Sequence, residues 1–175
     1  MKKLRTFVAH VEDRPGVLNR VASMFRRRNY NIISLNVGTT HEPGVSRLTV
    51  VIEADEHVAH RIEANLYKLI DVIAVTDVTD AQTVDRVLAL LKVRAAPEQR
   101  AEVLQLAEVF RARVVDVAPD TLILEITGTQ DKIDGLVAVL QPFGILELVH
   151  TGTVSMQRGS TPALGAEHRA PIVAA

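Results

Sequence analysis

One order of periodicities, strand-helix-strand-strand-helix-strand, runs through the first half of this chain and then runs again through the second. In the first half Leu4–Val11 reads as a strand and Pro15–Arg28 as a helix, with Val17, Leu18, Val21, Ala22 and Phe25 on one apolar face. Asn31–Gly38 reads as a strand, THEPG from Thr40 as a turn, and Val45–Ala54 as the return strand of a hairpin. Asp55–Leu69 then places Val58, Ala59, Ile62, Leu66 and Leu69 at helical spacing, and Val72–Thr79 closes the set. The second half repeats it with strand Val87–Arg94, helix Pro97–Phe110, strand Val114–Ala118, a Pro119-Asp120 turn and strand Thr121–Thr127. Helix Gln130–Gln141, ended by Pro142 and Gly144, and strand Ile145–Val154 complete it. Even the wording recurs, since MFRRR at Met24 and VFRAR at Val109 both end a helix with an inward Phe and outward Arg.

The predicted class is therefore α+β, two tandem ferredoxin-like (βαββαβ) domains, each an antiparallel sheet with both helices on one face. The expected boundaries are 1–79 for the first domain, 80–86 for a polar linker and 87–159 for the second domain. Residues 160–175, rich in Gly, Pro and Ala without periodicity, are expected to be a disordered tail. A module with a bare sheet face tends to pair.

Composition narrows the function. Twenty Lys and Arg against 21 Asp and Glu give a net charge of −1, so no overall field draws in nucleic acid or an anionic membrane. Four Phe, two Tyr and no Trp leave the strands without stacking aromatics, which argues against RNA. The absence of Cys excludes disulfides, thiolate metal sites and cysteine nucleophiles. No run approaches membrane-spanning length, and a soluble cytoplasmic protein is expected.

The first half carries the candidate site. Asp13, Pro15 and Gly16 read as a helix start, where Asp13 can cap and Pro15 can occupy the first turn. A helix N-terminus also offers open amides and partial positive charge, so the N–H groups of Gly16 and Val17 could take a small carboxylate. Asn31, at the entrance to the next strand, supplies a donor and an acceptor for an ammonium group; Leu18, Ile32 and Ile33 could wall an apolar side chain. The two places are expected to converge. A plain capped helix and a plain turn Asn explain the same residues. The second half has AAPEQR in place of EDRPG and no Asn matching Asn31, so only the first half is equipped to bind.

Other clusters read as structure. Arg26, Arg27 and Arg28, with Lys2, Lys3 and Arg5, are expected to be a solvated helix end and a frayed terminus. His57 and His60 lie one turn apart without a third ligand, and His10, His41 and His150 have no nucleophile at a suitable spacing. Glu53, Asp55 and Glu56 sit where a strand hands over to a helix, as cap and dipole complement. Nothing reads as catalytic.

Several stretches carry a family likeness: EDRPGVLNRVASMFRRRNYNIISLNVG, PGVSRLTVVIEAD, LYKLIDVIAV, LALLKV, FRARVVDV and PFGILELVHTGTVSMQRG. From Lys2 to Gly159 the chain resembles the small, regulatory subunits of acetohydroxyacid synthase, also called acetolactate synthase. That resemblance implies an N-terminal ACT domain, pairing as a homodimer, and a non-catalytic subunit that binds and activates the catalytic subunit and confers feedback inhibition by valine. Thiamine diphosphate, magnesium and FAD would belong to that partner. The family's effector site, at the contact of two ACT domains, maps to Asp13, Gly16, Val17, Leu18, Asn31 and Ile32. The chain departs from the family pattern at Asp13 (commonly Asn), Asn29 (usually Gly) and His150 (usually Arg); Asn29 tolerates the left-handed backbone that Gly would adopt. A freestanding amino acid sensor without a catalytic partner is the alternative.

Overall fold

Two sheets with the same strand order account for the repeat. The computed structural model describes residues 2–160, and the expected tail lies, beyond Ser160, outside the described residues. The first sheet has the order β2(Ile32–Thr39), β3(Val45–Ala54), β1(Lys3–Glu12), β4(Val72–Asp77), all antiparallel. Helices α1(Val17–Arg27) and α2(Glu56–Leu66) bury Val21, Phe25, Ala59, Ile62 and Leu66 against Phe7, Ala9, Leu48, Val50 and Ile52. The second sheet has the order β6(Arg113–Val117), β7(Thr121–Gly128), β5(Thr83–Arg94), β8(Ile145–His150), with β9(Val154–Gln157) also paired to β5. Its own core joins Ala89, Leu91, Val93, Leu122, Leu124 and Ile126 to Val103, Ile133, Leu136 and Leu140 of α3(Arg100–Val109) and α4(Gln130–Leu140). The tandem βαββαβ arrangement expected from the sequence is present. Among the described residues no helix is long and apolar enough to cross a membrane.

Several elements differ in extent. Regular structure resumes at Thr83, inside the stretch 80–86 read as a linker. The closing strand expected over Ile145–Val154 is two strands: the Thr151 hydroxyl accepts the Leu88 N–H at 3.1 Å, so a side chain ends the ladder. Residues 153–160 group with residues 2–84, while 85–152 form the second unit. Thr153 N–H donates to Ser34 Oγ at 2.8 Å and the Arg47 guanidinium donates to the Ser155 carbonyl, fastening this segment to the first sheet. The apolar face of α1 is also narrower than the sequence suggests. Val17, Val21, Met24 and Phe25 are buried, whereas Leu18 is 45% exposed and Ala22 is exposed.

Both first helices of the repeat end in a Schellman motif, but MFRRR and VFRAR are not equivalent within it. Asn29 (φ 55°) and Arg111 (φ 54°) are the left-handed residues; Tyr30 N–H reaches Phe25 O at 3.0 Å and Ala112 N–H reaches Ala107 O at 2.8 Å. Phe25 therefore corresponds to Ala107, and Phe110 lies three positions further along. Asn at the first site tolerates this backbone; Arg at the second is strained. Arg111→Gly is expected to stabilise the second unit by about 1 kcal/mol, read as a higher denaturation midpoint, and Asn29→Gly to change the first unit by less than about 0.5 kcal/mol.

Candidate functional site

The turn between β1 and α1 is built on Gly16, not on Asp13. Gly16 has φ 87° and ψ −8° and is itself the N-cap residue, so the helix begins at Val17, after Pro15. No side chain caps it, which corrects the capping role expected of Asp13 and the first-turn place expected of Pro15. Asp13 instead donates its backbone N–H to Gly44 O at 2.8 Å, which ties the turn to the start of β3 and leaves its exposed carboxylate outward. The Val17 N–H reaches only Arg14 O at 3.4 Å, and the first-turn amides that follow have no capping acceptor. By contrast, Asp55 caps α2 as its sequence position implies, Oδ1 accepting from Val58 N–H at 2.8 Å.

A cation that sequence spacing did not reveal stands beside this turn. Arg20 donates Nε to Asp71 Oδ2 at 2.5 Å, and Asp71 is 6% exposed, so the guanidinium is held in one place. Its Nη1 lies 3.5 Å from where a Cβ on Gly16 would stand. Open amides, a helix dipole and a fixed guanidinium thus converge at Gly16, which suits a carboxylate. The pair spans 51 positions in sequence, beyond any local pattern.

Asn31 and Ile32 are elsewhere. Ile32 lies opposite Ile52, and Ile52 opposite Arg5, while Glu12 at the other end of β1 lies opposite Val45. Val45 and Ile52 are seven positions apart along β3, roughly 23 Å at about 3.3 Å per residue. The expected convergence of Gly16 and Asn31 therefore does not occur within one chain, because α1 carries the backbone from one end of the sheet to the other. Asp13, Gly16, Val17 and Leu18 are together; Asn31 and Ile32 form a second group. Val17 points into the core, Leu18 is outward, Ile32 packs on the core edge, and Asn31 is exposed.

Behind the sheet, on the face away from the helices, His10 stands opposite Arg47. Burial holds the His10 pKa below its ordinary 6.5, and the nearby Arg47 lowers it further against a weaker pull from Glu42. With the native pKa depressed, the unfolded chain takes up a proton below about 6.5 that the native chain does not, so stability present above that pH falls on acidification. His10→Gln should flatten this acid limb, worth at most about 1.4 kcal/mol per pH unit for one proton. Melting temperature against pH checks it. Among the described residues no three His, Cys, Asp or Glu gather as for a metal ion.

A family model for the AHAS small subunit-like ACT domain matches residues 7–74, and one for the small subunit of acetolactate synthase matches residues 86–159. Over 150 residues the chain is 46% identical to the acetolactate synthase small subunit of Aquifex aeolicus, covering 85% of this chain and 78% of that one. Over 161 residues it is 44% identical to the Bacillus subtilis acetolactate synthase small subunit, covering 91% and 92%. The crystal structure of the acetolactate synthase small subunit from Thermotoga maritima matches with a TM-score of 0.84 at 35% identity, covering 91% of this chain and 99% of that one. With both halves matched and such relatives spanning most of its length, the chain belongs to the acetolactate synthase small-subunit family, with an ACT domain as its first unit.

Proposed function

We propose that this chain is the regulatory subunit of a cytoplasmic acetolactate synthase, binding and activating the catalytic subunit and carrying feedback inhibition by valine. Catalysis, with thiamine diphosphate, magnesium and FAD, is assigned to that partner. The observation that carries the effector reading is the separation of Gly16 from Asn31 on a sheet whose β2 edge pairs with no other strand among the described residues. If two copies pair antiparallel along β2, the start of one β2 lies beside the end of the other. That end is next to the Gly16 turn: Thr40 N–H reaches Val45 O at 3.0 Å, and Gly44 O holds Asp13. The half-sites of two chains then complete each other twice per dimer. In each seam the amides near Gly16, with Arg20 behind them, take the valine carboxylate. Asp13 and the other copy's Asn31 take the ammonium group, and the exposed Leu18 walls the side chain.

An effector bound across such a seam favours one arrangement of the two chains, and partner binding must change its affinity by the same factor. The test combines the purified chain with the catalytic subunit and measures acetolactate formation with and without valine. Activation that valine reverses is the expected result. Valine binding by the chain without any effect on the catalytic subunit would favour a freestanding sensor instead.

A further inference from the structure

Arg27, Arg28 and Lys68 line a groove of about 620 Å³ on the helical side of the first unit. Its apolar floor includes Met24 and Leu69, and Asn19, Ser23 and Asn65 add neutral polar groups. Arg20 also reaches it but already has an ion-pair partner in Asp71. Among the described residues the other three cations make no ion pair. In a chain of net charge −1, three unmatched cations along one groove are a local field, and a groove of this kind selects anionic groups.

The spacing says which kind. Lys68 lies three residues before Asp71, the residue that holds Arg20, whereas Arg27 is two helical turns beyond Arg20, roughly 10 Å at about 1.5 Å per residue. The cations are strung along the groove, which suits charges spread along a chain better than one compact phosphate cluster. The negative end of the α1 dipole also opposes a concentrated polyanion beside Arg27 and Arg28. Carboxylates a few residues apart on an extended chain meet both ends, with apolar side chains against Met24 and Leu69. We propose that this groove docks an acidic, partly apolar segment of the catalytic subunit, an inference that rests on the partner reading above.

Binding of the whole chain to the catalytic subunit, measured by titration at low and high ionic strength, tests it. Two variants are compared with wild type, Arg27→Gln/Arg28→Gln/Lys68→Gln and the charge reversal Arg27→Glu/Arg28→Glu/Lys68→Glu. Wild-type affinity should fall with salt; the neutral variant should bind about tenfold more weakly at low salt with a flatter salt dependence, and the reversed variant more weakly still. Circular dichroism should remain as in wild type and valine binding should change far less than partner binding, because Arg20, which reaches both the groove and the Gly16 turn, is left intact in both variants. Wild-type affinity and salt dependence in both variants would overturn the groove while leaving the partner reading intact. Saturable binding of inorganic triphosphate by wild type but not by the neutral variant, with partner affinity unchanged, would overturn it in favour of a phosphorylated small ligand. A wild-type chain that does not bind the catalytic subunit at all would instead overturn the partner reading.

Discussion

Replacing Gly16 with Asp is expected to weaken valine binding by about a hundredfold while the chain still folds and still binds the catalytic subunit. The backbone there is left-handed, φ 87°, a conformation Asp adopts at a cost on the order of 1 kcal/mol. A Cβ would meet Arg20 Nη1 at 3.5 Å, an ordinary contact, so nothing in the turn must move. The new carboxylate would stand roughly 4 Å from the ligand's own, a repulsion of about 4 kcal/mol at an effective dielectric near 20. Solvent and the Arg20 cation reduce this to about 2–3 kcal/mol, which is the factor of about a hundred. Gly16→Asn, equal in bulk but uncharged, should lose markedly less. Calorimetric titration with valine reads both, and inhibition of the reconstituted enzyme should shift in parallel. An unchanged dissociation constant for Gly16→Asp would remove this turn from the site.

The largest stability loss is expected at Phe25. Its ring is 1% exposed in the core beneath α1 and meets Tyr30 edge-on, centroids 6.4 Å apart at 72°. Its carbonyl accepts the N–H groups of Arg28 and Tyr30, so the residue anchors both the core and the helix end. Phe25→Ala should cost the first unit about 3–5 kcal/mol, a large share of the 5–15 kcal/mol typical of a domain. For a domain of this size that corresponds to a fall of roughly 15–30 °C in its melting temperature. The second unit, with a core of its own, should melt as before, so the scan should split into two transitions. Tyr30 precedes Asn31, so valine binding should weaken at temperatures where the fold still holds. A loss below about 1 kcal/mol would contradict the packing described for α1.

Periodicity carried the fold because the helices and β7 each bury one face, and alternate residues of β1 and β3 meet the helices although the middle of both strands is buried on both faces. Alternation in β1, β3 and β7 and the stripes of α2 and α4 put the core residues where they are found. Element ends were less legible where a backbone or tertiary feature decides them. Gly16 takes a left-handed conformation that delays α1 past Pro15, and the Thr151 hydroxyl cuts the last strand in two. Leu18 and Ala22 read as core because they are apolar and at helical spacing, yet they face outward. The division of the six candidate residues into two distant groups was not legible, because spacing along the chain does not record which end of a sheet a helix reaches. Arg20 was missed because its partner Asp71 lies 51 positions further along the chain.

That division makes one measurement decisive. Chains carrying Gly16→Asp and chains carrying Asn31→Ala are each expected to bind valine poorly, the latter by about 1–3 kcal/mol if its carboxamide is desolvated in the seam. In a mixed dimer both lesions fall in one seam, and the other joins an intact Gly16 turn to an intact Asn31. Co-refolding the two variants, purifying the mixed dimer through distinct tags and titrating it with valine should recover one site of wild-type affinity per dimer. A mixed dimer that binds no better than its parents would contradict a site shared between two chains.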